Sequence, residues 1–122
     1  MLERTSPNVL VIRAERYYGT VLLALDGELD LATSPDLELA LLKAGADCGR
    51  VVLDLSALEF MDSTGLHVLL KAQGKFDEHG WRLSLLPLPP QVRRLFELTG
   101  TQQRFEFEER PDDEPRSISW VP

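Results

Sequence analysis

The sequence predicts an α/β fold in which a mixed β-sheet and helices form one domain. Three observations predict it. Apolar runs of strand length alternate with helical patterns in the order β-β-α-β-α-β-α-β. The run "RVVLDL", residues 50–55, is apolar without alternation, which is typical of a strand covered on both faces in a parallel sheet. The 122 residues are enough for one domain with a substantial core.

The first half of the chain is predicted to contain three strands and one helix. The runs "NVLVIR" (8–13) and "TVLLALDGEL" (20–29) read as a strand pair joined by a short connection. A helix follows, with Ser34 as its N-cap and Pro35 at its first position. Its apolar residues share one helical face: Leu37, Ala40, Leu41 and Ala44. The buried strand 50–55 comes next, with a short turn after it.

The second half is predicted to contain two helices and two strands. The pattern after "DSTG" is helical and ends before Gly80. The run "WRLSLLPL" (81–88) reads as a strand, and the next helix has Pro90 near its start and Gly100 as its stop. The alternating run "RFEFEE" (104–109) is typical of an edge strand. The sheet therefore has about five strands.

The domain is predicted to span residues 1–110, followed by a tail over 111–122. The stretch "RPDDEPRSISWVP" carries three prolines in 13 residues and shows no periodic pattern. Such a composition favours an extended or partly disordered chain, because proline cannot donate to a helix or a sheet ladder.

Composition and charge exclude several classes of function. The formal net charge of −7 argues against nucleic acid and anionic membrane surfaces as partners, since both bind basic patches. Cys48 is the only cysteine, so no disulfide can form within the chain. The sequence shows no signal peptide and no apolar run long enough to span a membrane. We therefore expect a cytoplasmic protein.

The junction between the buried strand and the next helix carries Asp62, Ser63, Thr64 and Gly65 in a row. Side-chain oxygens at a helix start accept hydrogen bonds from its free N–H groups, and one oxygen is enough for such a cap. Here three consecutive residues offer oxygens, and glycine removes bulk beside them. A hydroxyl in this position could carry a phosphate, because helix N-termini favour anions. Capping alone remains the simpler interpretation.

Enzyme activity is not expected from these residues. A hydrolase nucleophile needs G-x-S-x-G, and Met61 occupies the first glycine position before Ser63. His67 lies one helical turn further on, with no acid that would orient it. The chain has no phosphate-binding, dinucleotide-binding or zinc-protease motif, and one Cys with two His argues against a His/Cys metal site. We therefore expect no cofactor and no metal.

Three separated blocks resemble the STAS domain of bacterial anti-sigma factor antagonists. They are "LDGELDLATSPDLELAL", "VVLDLSALEFMDSTGLHVLL" and "LSLLPLPPQVRRLFELTG", and they occur in the family's order. The resemblance covers roughly residues 8–108, which makes it much more specific than the four letters DSTG.

The resemblance implies a mixed sheet with helices packed mainly on one side, in a monomer or weak dimer. It implies two partners, an anti-sigma factor that is a serine kinase of the GHKL type and a phosphatase of the PP2C type. The unphosphorylated antagonist binds the kinase and frees the sigma factor, and phosphorylation of the first hydroxyl residue after the Asp, here Ser63, ends binding. The same resemblance assigns Asp30, Asp62, Thr64 and Gly65 to the partner-binding surface.

An alternative stays open at this point. STAS domains also occur in stressosome scaffolds and in accessory subunits of lipid-transport complexes. In such a subunit the DSTG stretch is only a helix cap and a contact surface. The chain also departs from the family in one respect, because the proline-rich tail replaces the usual C-terminal helix.

Overall fold

The computed structural model describes residues 9–109, which form five strands and three α-helices in the predicted order. A short 3-10 helix, Gln102–Arg104, precedes the last strand. In chain order the elements are β1 Leu10–Tyr17, β2 Thr20–Leu29, α1 Ser34–Cys48, β3 Arg50–Met61, α2 Ser63–His79, β4 Arg82–Leu85, α3 Pro90–Thr99 and β5 Glu106–Phe107.

The five strands form one mixed sheet in the spatial order β1-β2-β3-β4-β5. The first two strands pair antiparallel, with Tyr17 opposite Thr20 across a two-residue turn. Both turn residues, Tyr18 and Gly19, have positive φ, as the tight turns that match strand twist require. The other pairs, β2–β3, β3–β4 and β4–β5, are parallel. This topology confirms the predicted mixed sheet.

The helices cover one face of the sheet. Along β3, Val51 and Leu53 belong to the hydrophobic core cluster, whereas Val52 between them lies on the other face and outside that cluster. The same cluster takes in residues from all three helices, such as Leu41, Leu69 and Phe96. The helices α1 and α2 also contact each other. Their packing on one side agrees with the expectation from the family resemblance.

Several boundaries differ from the sequence prediction. The strand β1 continues past residue 13 to Tyr17, because it pairs with β2 as far as Thr20. The strand β5 covers only Glu106–Phe107 of the predicted run 104–109. The strand β3 runs on to Met61, with no turn after residue 55, because the end of β2 continues to pair with it across two irregularities in register. The strand β4 stops at Leu85, before Pro87. Helix α1 begins at Ser34, so its N-cap is Thr33 rather than Ser34. The Ser34 hydroxyl instead donates to the Asp30 carbonyl oxygen at 2.6 Å.

The predicted tail, 111–122, lies outside the described residues. Within residues 9–109, the longest helices are too short or too polar to cross a membrane.

Candidate functional site

The start of α2 is capped by one side chain, that of Asp62. Its Oδ1 accepts hydrogen bonds from the Thr64 N–H at 2.9 Å and from the Gly65 N–H at 3.1 Å. Asp62 has an extended backbone, and the helix begins with the next residue, Ser63. Two of the free N–H groups of the first turn are therefore satisfied by the aspartate alone.

Because Asp62 is the cap, the two hydroxyls that follow it are not needed for capping. Ser63 is exposed, and Thr64 is half-buried. Within the described part of the chain, neither hydroxyl makes a side-chain hydrogen bond. The exposed His67 forms no hydrogen bond to Ser63 among these residues. Ser63 thus presents an accessible hydroxyl at the first position of a 17-residue helix.

Gly65 joins this helix start closely to the end of β2. A Cβ atom at Gly65 would lie 2.7 Å from Leu29 Cγ and 3.1 Å from the Leu29 carbonyl oxygen. The same carbonyl accepts a hydrogen bond from the Asp62 N–H at 3.2 Å. Only glycine fits this approach, because Leu29 is fully buried and cannot move aside. Gly65 itself is buried, and a direct contact between Gly65 and a partner stays a prediction.

The loop between β2 and α1 is held by Asp30. Its Oδ1 accepts hydrogen bonds from the N–H groups of Ala32 at 3.0 Å and Thr33 at 3.2 Å. In return, Thr33 Oγ1 accepts from the Asp30 N–H at 3.0 Å and lies 2.9 Å from the Glu28 carbonyl oxygen, to which it can donate. Asp30 is only 6% exposed. Its carboxylate therefore shapes the loop from inside, and its contact with a partner stays a prediction.

Sequence reasoning missed the part played by Thr33, whose hydroxyl fixes the loop next to the helix start. The available signal was the pair of hydroxyl residues immediately before Pro35, where one cap would have been enough.

Sequence reasoning also missed two exposed apolar side chains on the segments that precede α1 and α2. Leu31, in the Asp30 loop, is 74% exposed, and Phe60, near the end of β3, is 46% exposed. Both segments lie at the same end of the sheet, because the main chains of Leu29 and Met61 pair at the ends of β2 and β3. Large exposed apolar side chains with polar groups near them are typical of a protein-binding surface. No group of three or more His, Cys, Asp or Glu side chains within 9–109 could hold a metal.

The Asp62 cap gives a testable prediction about stability. We expect Asp62→Ala to lower the free energy of unfolding by about 1–2 kcal/mol, because two N–H groups of α2 lose their acceptor. Asp62→Asn keeps an acceptor oxygen and should show a clearly smaller loss. Equilibrium unfolding in urea measures both variants. Equal losses would contradict capping as the main role of the side chain in stability.

The chain is similar to known proteins of one family. The STAS domain family model matches residues 11–114. An anti-sigma F factor antagonist of Paenibacillus polymyxa is 33% identical over 93 residues, which are 75% of this chain and 80% of that protein. An anti-sigma-B factor antagonist of Staphylococcus aureus is 30% identical over 94 residues, or 76% and 84% of the two chains.

A solved structure agrees as well. The crystal structure of an anti-sigma factor antagonist from Mycobacterium paratuberculosis matches with a TM-score of 0.74 and 28% identity, over 94% of this chain and 97% of that one. The chain therefore belongs to the STAS domain family, whose bacterial anti-sigma factor antagonists are similar to it in both sequence and structure.

Proposed function

We propose that this protein is an anti-sigma factor antagonist that is switched by phosphorylation of Ser63. In the unphosphorylated form it binds an anti-sigma factor that is a serine kinase of the GHKL type, and the sigma factor is released. The observation that carries the proposal is the Ser63 hydroxyl, which is exposed and makes no hydrogen bond within residues 9–109, while Asp62 caps the helix.

The covalent step transfers the γ-phosphoryl group of ATP to Ser63. The Ser63 Oγ forms a bond to the γ-phosphorus while the bond to the bridging oxygen of ADP breaks, and ADP leaves with that electron pair. The hydroxyl proton passes to a base on the kinase, since the Ser63 hydroxyl makes no hydrogen bond to a carboxylate or an imidazole within the described residues. A PP2C-type phosphatase reverses the switch by hydrolysing the phosphoserine.

The fold tolerates the phosphate at this position. The group adds about −1.5 to −2 charges at the N-terminus of α2, where the helix dipole favours an anion. It points into solvent, so it displaces no core contact. The modification therefore changes the charge of the surface rather than the structure beneath it.

The partner surface combines this charge switch with the apolar groups beside it. Leu31 and Phe60 offer exposed apolar area that a partner can bury, and Asp62, Ser63 and Thr64 supply the polar groups. Phosphorylation of Ser63 consumes ATP, so the proposed switch operates in the cytoplasm.

The proposal predicts a single phosphorylation site. The protein is incubated with ATP and, in turn, with each GHKL-type serine kinase of the host. At least one kinase should add one phosphate per chain, and peptide mapping by mass spectrometry should locate it on Ser63. The increase in mass should disappear in Ser63→Ala and persist in Thr64→Ala, which removes the neighbouring hydroxyl as a matched control. If no kinase phosphorylates the protein and the protein still forms a stable complex with a partner, the proposed switch is contradicted and the scaffold alternative is favoured.

A further inference from the structure

Strand β1 leaves one edge of the sheet open within residues 9–109, because it pairs with β2 alone. The hydrogen bond from the Glu28 N–H to the Val9 carbonyl oxygen, at 2.9 Å, fixes which residues face β2. Since backbone groups alternate in direction along a strand, the odd-numbered residues of β1 bond to β2. The N–H and C=O groups that point to the open edge belong to Leu10, Ile12, Ala14 and Arg16.

These outward groups restrict how a second copy of β1 can pair with the first. In an antiparallel pair around a two-fold axis, even-numbered residues must face even-numbered residues, so the axis passes through a residue. An axis at Ala14 places Arg13 opposite Glu15 twice and Val11 opposite Tyr17 twice. An axis at residue 13 or 15 places like charges opposite each other, which is destabilising. Ala14 is the only centre in β1 that pairs opposite charges.

We propose that two copies of this chain associate through β1, antiparallel around Ala14, to form one continuous ten-stranded sheet. The outward groups of Ile12, Ala14 and Arg16 then supply about six backbone hydrogen bonds between the copies. Charged side chains on an edge strand usually discourage pairing. Here they are self-complementary, so they select one register and one partner.

The helix-covered face of the sheet is compatible with this dimer. Arg16 lies opposite Ile12 of the second copy, and its guanidinium is already bound to Asp47 of its own chain. An apolar groove of about 690 Å³ lies between β1 and α1, and Ile12 and Ala14 line it. The second copy's Ile12 and Arg16 border the open side of this groove and cover part of its apolar wall.

The dimer and the phosphorylation switch involve different surfaces. Ser63 follows β3, and β2 separates β3 from the pairing edge of β1. Dimerisation therefore leaves Ser63 accessible, and variants of β1 should be phosphorylated at the same rate as the natural chain. The test of the dimer is in this way independent of the proposed function.

Sedimentation equilibrium over a concentration series tests the proposal with the full chain. The natural protein should show a concentration-dependent monomer–dimer equilibrium. Arg13→Glu and Glu15→Arg should each weaken the dimer about tenfold or more, because each change creates two like-charge pairs. The double variant Arg13→Glu/Glu15→Arg should restore it, as should an equimolar mixture of the two single variants. Arg94→Glu, an equal charge change on exposed α3, should have no effect.

Each outcome bears on the proposal. Circular dichroism melting first checks that all variants fold, which we expect because Arg13 and Glu15 are exposed. A natural chain that is monomeric at every concentration would overturn the proposal. If the dimer tolerates Arg13→Glu, the proposed register is wrong and the contact lies elsewhere. The same conclusion follows if the dimer fails to re-form in the double variant and in the mixture.

Discussion

A Ser63→Asp variant is expected to bind the anti-sigma factor roughly 30- to 700-fold more weakly than the natural chain, a loss of about 2–4 kcal/mol. The new carboxylate stands beside Asp62, on a protein whose formal net charge is already −7. In the interface with the partner, this charge must be desolvated. It also faces a partner surface that accepts the uncharged serine. Ser63→Ala should bind about as tightly as the unphosphorylated chain, because it adds no charge and removes a hydroxyl that makes no hydrogen bond within residues 9–109.

The matched control for this experiment is Ser56→Asp. Ser56 is an exposed serine in β3, seven residues before Ser63, so its change gives the chain the same net charge in a different place. Isothermal titration calorimetry with the proposed kinase partner should show near-natural affinity for this control. Equal weakening by both variants would indicate a general charge effect, and full affinity of Ser63→Asp would contradict the switch. The Ser63→Asp loss should also shrink at high salt, since exposed charges are screened.

The helices of this protein were predictable because their ends are encoded locally. Gly80 and Gly100 both adopt the left-handed conformation that ends α2 and α3, and Pro90 is the first residue of α3. These signals depend on one residue's own backbone preference, so they can be read without knowledge of the fold. The position of Ser63 at a helix start followed from the same kind of signal.

The burial of the candidate site could not be predicted in this way. Whether Asp30 faces a partner or the inside of its own loop depends on Thr33 and on where β2 ends relative to β3. The same tertiary pairing carries β3 on to Met61 although the residues from 56 onward lack a clean strand pattern. Exposure of Leu31 and Phe60 is likewise a property of the packed sheet and helices, because an apolar residue in a sequence is normally expected inside.

Gly27 is the position where a single methyl group should do the most damage to the fold. Its φ is +117°, a conformation that side-chain-bearing residues rarely adopt, and a Cβ there would lie 2.2 Å from the Val9 carbonyl oxygen. That oxygen cannot retreat easily, since it accepts the hydrogen bond from the Glu28 N–H. We expect Gly27→Ala to lower the free energy of unfolding by about 3–5 kcal/mol, from backbone strain and steric overlap together.

The opposite effect is expected from the same substitution at Gly74, which makes the pair a sharp test of this argument. Gly74 lies inside α2, its φ is not positive, and a methyl group added there would have no neighbouring atom within 4 Å. Gly74→Ala should therefore raise the free energy of unfolding by about 0.5–1 kcal/mol, because alanine loses less backbone entropy in a helix. Urea unfolding of both variants measures the difference. If Gly27→Ala lowers the free energy of unfolding by no more than about 1 kcal/mol, β1 can shift freely against β2. That result would contradict our argument that the Val9–Glu28 hydrogen bond holds the register.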